Sequence, residues 1–117
     1  MRIGHIELFV RDPAAMKEFY ATVLGGEVTA EQADGLLVWV RLGEVEILLR
    51  PGTPDPSPDI YKLARSAIVL YTDDLDAQVA ALKRRGLAFE GDDGPGCPTF
   101  RDPEGNWFQL TNPGAHV

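Results

Sequence analysis

The sequence predicts an α+β fold made of two similar βαβββ modules. Each half of the chain runs strand, helix and three further strands, and each helix follows an aspartate and ends at glycine. A segment with four prolines, residues 51–59, separates the halves. Because proline donates no backbone hydrogen bond, this segment cannot join a sheet ladder. We therefore expect one domain, residues 1–117, with a module at 1–50, a connector at 51–65 and a module at 66–113.

The first module opens with an alternating apolar and polar run from Ile3 to Val10, which is typical of a strand with one buried face. Asp12 is placed to cap the next helix and Pro13 to occupy its first position. The apolar stripe of this helix consists of Met16, Phe19, Tyr20, Val23 and Leu24. Gly25 and Gly26 end it. Three further strands are expected at 27–29, 36–41 and 44–49.

The second module repeats this order. A strand from Ser66 to Thr72 leads into a helix from Leu75 to Arg85, which Gly86 ends. Further strands are expected at 87–90, 98–100 and 107–110. The modules align with an offset of 62 residues, so that Asp12 corresponds to Asp74. Since one helix covers only part of a sheet, each half needs a partner to bury its apolar surface.

Composition narrows the classes of function. The formal net charge is −7, and nucleic acids and anionic membranes both require a basic face, so neither is an expected partner. One cysteine excludes an internal disulfide and suits a reducing compartment. The sequence shows no signal peptide at its start and no apolar run of membrane-spanning length. We therefore predict a cytoplasmic protein.

The most informative run lies near the end of the chain and reads Arg101-Asp102-Pro103-Glu104-Gly105-Asn106-Trp107-Phe108-Gln109-Leu110. Its proline and glycine favour a tight turn between two short strands. The run resembles the Asp-Pro-Asp/Glu-Gly-Asn-x-x-Glu-Leu signature of the vicinal oxygen chelate superfamily, which includes glyoxalases, bleomycin-resistance proteins and extradiol dioxygenases. The resemblance extends from Gly4 to Asn112. It implies a curved mixed sheet around a cavity, and commonly a homodimer.

The resemblance also implies where a divalent metal would be bound. His5 matches the first ligand position and Glu46 is nearest to the second, whereas the offset of the repeat places Ala67 at the third. Gln109 stands where the family signature has glutamate. Because Ala67 has no donor atom, a metal cofactor is not favoured. A reduced set of His5, Glu46 and Gln109 remains an alternative for a divalent ion.

The other interpretation is a metal-free binding cavity. Strand alternation places one set of side chains on its wall: His5, Glu7, Phe9, Trp39, Arg41, Glu46, Leu48, Val69, Tyr71, Trp107 and Gln109. The two tryptophans are candidates for stacking on a planar ligand or for binding a cation over their rings. The alternative is that both pack in the core. We predict a small-molecule-binding protein like the glyoxalase and bleomycin-resistance group. The alternative is a metal-dependent lyase, isomerase or dioxygenase, so catalysis stays open.

Overall fold

The computed structural model describes residues 1–116. The chain separates into two compact units, one of Met1–Asp55 and another that begins at Pro56. The boundary between the units falls inside the proline-rich connector. The expectation that no part of residues 51–59 joins a sheet is wrong at its first residue, because Pro51 ends β4 and pairs with Val10 at the edge of the sheet. Each unit has its own sheet and its own helix.

The first unit is a four-stranded sheet with one helical segment. Its strands are β1 (Ile6–Val10), β2 (Glu27–Gln32), β3 (Leu37–Leu42) and β4 (Val45–Pro51). They lie in the order β1-β4-β3-β2, with β1 parallel to β4 and the other neighbours antiparallel. Helix α1 (Pro13–Glu18) continues into a π-helical turn at Phe19–Val23. The order βαβββ is therefore the one predicted.

One face of this sheet packs against α1. Asp12 caps the helix, and its carboxylate accepts a hydrogen bond of 3.1 Å from the backbone N–H of Ala15. The side chains of this core are at most 1% exposed: Val10, Met16, Tyr20, Val38, Val40, Ile47 and Leu49. Since strand side chains alternate, the intervening residues of β3 and β4 lie on the opposite face.

The second unit contains a smaller sheet. Its strands are β5 (Ile68–Tyr71), β6 (Thr99–Arg101) and β7 (Trp107–Thr111), in the order β5-β7-β6 with β5 parallel and β6 antiparallel to β7. Helix α2 (Leu75–Arg84) follows β5, and short 3₁₀ turns occupy Tyr61–Leu63 and Pro113–His116. Asp74 caps α2 through a bond of 3.1 Å from the N–H of Ala77. The hydrogen bond between Asp12 and Ala15 thus recurs 62 residues later in the second unit, as the repeat predicts.

The predicted strand at 87–90 is wrong, because that segment is irregular. Only its end follows β6: the N–H of Glu90 donates to the carbonyl of Thr99 at 2.8 Å, and the N–H of Thr99 donates to the carbonyl of Gly91 at 3.1 Å. Gly91 has a φ of 77°, which turns the chain out of the extended conformation. The second module therefore forms three strands where four were predicted.

The α+β class with paired modules is confirmed. The cavity that the resemblance implies stays a prediction. Among residues 1–116, no helix combines the length and the apolar content needed to cross a bilayer.

Candidate functional site

The face of the first sheet opposite α1 carries a row of side chains across three strands. Glu7 of β1 pairs with Leu48 of β4, and Leu48 pairs with Trp39 of β3. Phe9 and Arg50 form the next pair along β1 and β4. Leu48 is 5% exposed, whereas Phe9 is 50% exposed. The sheet therefore presents open aromatic surface beside a buried leucine.

Glu7 is the centre of a hydrogen-bonded polar cluster on this face. Its Oε2 lies 2.9 Å from Nε2 of His5, and its Oε1 accepts a bond of 2.9 Å from Nη1 of Arg50. The hydrogen bond with His5, and then the one with Arg50, hold the pKa of Glu7 below its ordinary value of 4.5. Because an ionised carboxylate only accepts hydrogen bonds, the Nε2 atom of His5 is the donor.

Aromatic contacts fix the rings around the cluster. The rings of His5 and Trp39 meet edge to face with centroids 4.7 Å apart, and the indole N–H of Trp39 donates to Gln32 at 3.1 Å. The guanidinium of Arg50 lies 5.2 Å from the centre of the Phe9 ring, a cation–π distance. Its Nε atom is buried and has no hydrogen-bond partner within residues 1–116. The side chains of this cluster are therefore held by defined contacts, but one buried donor of Arg50 has no hydrogen-bond acceptor in this part of the chain.

We expect Glu7→Gln to lower the free energy of unfolding at neutral pH but not in strong acid. The pKa of Glu7 is lower in the folded state than its ordinary value of 4.5, so its carboxylate stabilises the fold. That stabilisation is fully present above the unfolded-state pKa and is lost as the pH falls through the folded-state pKa. Urea denaturation of both proteins at about pH 7 and about pH 3 measures it.

Glu44→Gln is the charge-matched control, since Glu44 is exposed in the β3–β4 turn. A stability difference for Glu7→Gln that is equal at both pH values would show that the cluster with His5 and Arg50 does not stabilise the fold.

In the second unit Gln109 occupies the middle of the sheet. It pairs with Val69 on one side and with Thr99 on the other. Gln109 is 9% exposed, and its Nε2 donates to the hydroxyl of Tyr61 at 3.0 Å and to Oδ2 of Asp93 at 3.3 Å. Val69 is 44% exposed. The amide is thus held by one side chain from the 3₁₀ turn at Tyr61–Leu63 and one from the loop before β6.

Trp107 is enclosed within the same unit. It is 3% exposed, and its indole N–H donates to the carbonyl of Pro58 at 2.9 Å. The ring of Tyr61 meets it edge-on at 5.7 Å, and the guanidinium of Arg101 lies 5.1 Å from its centre. These contacts favour the core-packing alternative for Trp107 and leave Trp39 as the accessible tryptophan.

Arg101 connects this core to two acidic side chains. It donates to both carboxylate oxygens of Glu90, at 2.9 and 2.6 Å, and to Asp59 at 3.1 Å. The paired hydrogen bonds lower the pKa of Glu90 and raise the pKa of Arg101. The two carboxylates therefore hold the guanidinium of Arg101 against the ring of Trp107.

The donor groups do not fit a divalent metal. Within residues 1–116 no three His, Cys, Asp or Glu side chains are grouped closely enough to hold an ion. The Nε2 atom of His5 is already engaged with the carboxylate of Glu7. Ala67 contributes no donor.

Several predicted site residues lie together, and others do not. His5, Glu7 and Trp39 are grouped as alternation predicts, whereas Arg41 is directed to the edge strand, where it bonds Glu27 at 3.1 Å. Tyr71 is 73% exposed on β5. Ligand binding by the eleven predicted residues stays a prediction.

Sequence reasoning missed three residues: Arg50, Tyr61 and Asp93. Arg50 lies two residues after Leu48 on β4, so strand periodicity places both side chains on this face, but Arg50 was not included in the predicted binding set. Tyr61 lies in a short 3₁₀ turn and Asp93 in a loop, and neither segment has a periodic signal in the sequence.

Comparison with known proteins identifies the class that this fold represents. The model of the Glyoxalase/Bleomycin resistance protein/Dioxygenase superfamily matches residues 2–110. The chain belongs to this superfamily, as the C-terminal signature suggested. No functionally curated protein matches the chain in sequence.

Solved structures resemble the chain over nearly its whole length. TnmS3, an antibiotic binding protein from Streptomyces sp. CB03234, is 29% identical with a TM-score of 0.72, covering 97% of this chain and 98% of that one. A glyoxalase/bleomycin resistance protein from the same Streptomyces is 28% identical with a TM-score of 0.67, covering 92% and 96%. Lactoylglutathione lyase from Agrobacterium tumefaciens is 22% identical with a TM-score of 0.72, covering 97% and 95%, and this likeness shows the fold alone.

Proposed function

We propose that the chain binds a small organic molecule with a planar apolar part, without a metal, on the face of the first sheet opposite α1. The observation that carries this proposal is the half-exposed ring of Phe9 beside the ordered cluster of His5, Glu7 and Arg50. Small-molecule sites combine apolar and aromatic surface with a few fixed polar groups. The likeness to an antibiotic binding protein at 29% identity supports the proposal.

Each residue of this face has a role in binding. Arg50 covers one side of the Phe9 ring, so the ring is held in place while its exposed half is available for stacking. Glu7 is held ionised by its two partners and offers a fixed acceptor. Trp39 is held by Gln32 and His5 and supplies a second aromatic wall. The face therefore recognises shape and hydrogen-bond donors.

We also propose that the protein acts as a cytoplasmic homodimer. Strand β5 lies at one end of its sheet and carries two exposed side chains with apolar surface, Val69 and Tyr71, which are 44% and 73% exposed. A second copy would cover such surface. Light scattering coupled to gel filtration tests the dimer, and a monomeric mass at micromolar concentration would contradict it. The single cysteine suits a reducing compartment.

Planar aromatic compounds are expected to quench Trp39 fluorescence. Trp39→Phe should abolish the response and Trp107→Phe should preserve it, because Trp107 is 3% exposed. Phe9→Ala should weaken binding about tenfold, since stacking and apolar contact are both lost. Fluorescence titration of purified protein measures each effect.

Leu36→Ala is the control for Phe9→Ala, because Leu36 is 52% exposed and lies outside this face. It should leave binding unchanged. If no planar compound binds, or if Phe9→Ala and Leu36→Ala bind equally well, the proposed site is wrong. Binding that disappears with a chelator would instead support the metal-dependent alternative.

A further inference from the structure

A cavity lies in the second unit, between the first turns of α2 and the loop that precedes β6. Its volume is about 360 Å³, which is within the range of small-molecule sites. Leu75, Asp76 and Val79 form its α2 side, and residues of the 91–98 loop form the other side. None of the residues proposed for binding on the first sheet lines it. The cavity is therefore a separate candidate site.

Backbone hydrogen bonds hold the loop wall of the cavity in place. The N–H of Asp93 donates to the carbonyl of Cys97 at 2.8 Å, and the N–H of Cys97 donates to the carbonyl of Gly94 at 3.1 Å. Asp92 pairs with Pro98 in an isolated β-bridge. The wall is therefore formed before a ligand arrives, so binding pays little for ordering the loop.

The charged groups of this cavity are carboxylates. Asp76 is exposed and forms no hydrogen bond or ion pair within residues 1–116. Oδ1 of Asp92 accepts a bond of 3.0 Å from the N–H of Gly94, which holds this carboxylate at the wall, and Oδ2 has no partner in the same part of the chain. Among the described residues, no lysine, arginine or histidine lines the cavity. A ligand would therefore meet two negative charges that no cation of the wall offsets.

The apolar part of the wall is aliphatic. Leu75 and Val79 are partly buried on the helix side, and Pro95 and Pro98 lie on the loop side. No aromatic side chain of the described residues lines the cavity. A compact saturated group gains from contact with such surface, whereas a planar ring has no aromatic partner to stack on. The cavity therefore suits a different ligand from the face of the first sheet.

We propose that this cavity binds a protonated amine that carries a compact aliphatic group. The ammonium donates to the carboxylate of Asp76 and to Oδ2 of Asp92, and the aliphatic group contacts Leu75 and Val79. An ammonium has three donors and a charge opposite to that of both carboxylates, whereas an anionic ligand is repelled by them. The site goes beyond the proposed function, because it adds a second place of binding and a second class of ligand.

Three compounds that share a saturated ring and differ in charge test this proposal: cyclohexylmethylamine, cyclohexylmethanol and cyclohexanecarboxylate. Calorimetric titration should show the amine binding about fivefold more tightly than the alcohol, the size of one solvent-exposed ion pair, with the acid weakest. Asp76→Asn and Asp92→Asn should each reduce this preference. Asp73→Asn is the matched control, since it makes the same charge change at an exposed residue that does not line the cavity. It should retain the preference.

Cys97 reports whether the amine lies in the cavity. It is the one cysteine of the chain, and it is partly buried in the loop wall. The amine should slow alkylation of this thiol by iodoacetamide, measured by mass spectrometry. The alcohol should need about a fivefold higher concentration for the same protection, because it lacks the ion pair.

Equal binding of amine and alcohol, a preference that survives both aspartate substitutions, or an alkylation rate that the amine does not change overturns this inference. The proposed function is judged by a different signal, the quenching of Trp39 by planar compounds. A saturated ring should leave the fluorescence of Trp39 unchanged, since it does not stack. Quenching of Trp39 by cyclohexylmethylamine would place the amine on the first sheet and contradict the cavity site.

Discussion

Replacing Phe100 by alanine is expected to lower the free energy of unfolding by about 3–5 kcal/mol, the cost of removing a fully buried aromatic side chain. Phe100 is 0% exposed and lies between two other rings of the second unit. It stacks on Phe108 with centroids 5.1 Å apart and meets Phe89 edge-on at 5.6 Å. The substitution removes both ring contacts and leaves a cavity that rigid strands cannot close.

Denaturation with urea, followed by circular dichroism, measures the loss. Phe100→Leu keeps most of the apolar volume and should cost less than Phe100→Ala. Phe9→Ala is the exposed comparison, with an expected cost of about 1 kcal/mol or less. A loss for Phe100→Ala no larger than that for Phe9→Ala would show that these rings do not form the core of the unit.

Asp102→Ala is expected to lower the free energy of unfolding by about 2–4 kcal/mol, because several hydrogen bonds to one carboxylate are lost together. Asp102 is 4% exposed at the start of the β6–β7 turn. Its carboxylate accepts from the N–H of Glu104 at 3.0 Å, from the N–H of Asn106 at 2.9 Å and from the amide of Asn106 at 2.8 Å. Alanine leaves these donors without their acceptor.

Asp102→Asn retains one side-chain acceptor oxygen and should lose less stability than Asp102→Ala. The turn has a second requirement, since Gly105 has a φ of 92° and a Cβ there would lie 2.7 Å from Cβ of Ser57. Equal stability of the alanine variant and the wild type would contradict the role given to this carboxylate. Thermal unfolding followed by calorimetry provides the comparison.

Local signals predicted most of the fold. The aspartate caps, the glycine stops and the alternation of β1 act within a few residues, so they can be inferred without knowledge of distant contacts. The strand predicted at 87–90 is wrong because its local signal was weak. Its alternation was short, and the glycines that follow it turn the chain before a ladder can form.

The candidate site was only partly predictable. Alternation places His5, Glu7 and Trp39 on one face, but it does not say that His5 bonds Glu7 rather than a metal. The burial of Trp107 was not predictable, because Tyr61 and Pro58 reach it from a connector without periodic structure. Side-chain partners drawn from irregular segments depend on tertiary contacts that a single sequence does not report.

The central claim is that a small molecule is bound without a metal. The most direct measurement combines elemental analysis of protein purified without a histidine tag with ligand titration before and after a chelator. We expect substoichiometric nickel, zinc and manganese and the same dissociation constant in both titrations. Stoichiometric metal that is lost on His5→Ala, together with ligand binding that the chelator abolishes, would contradict it.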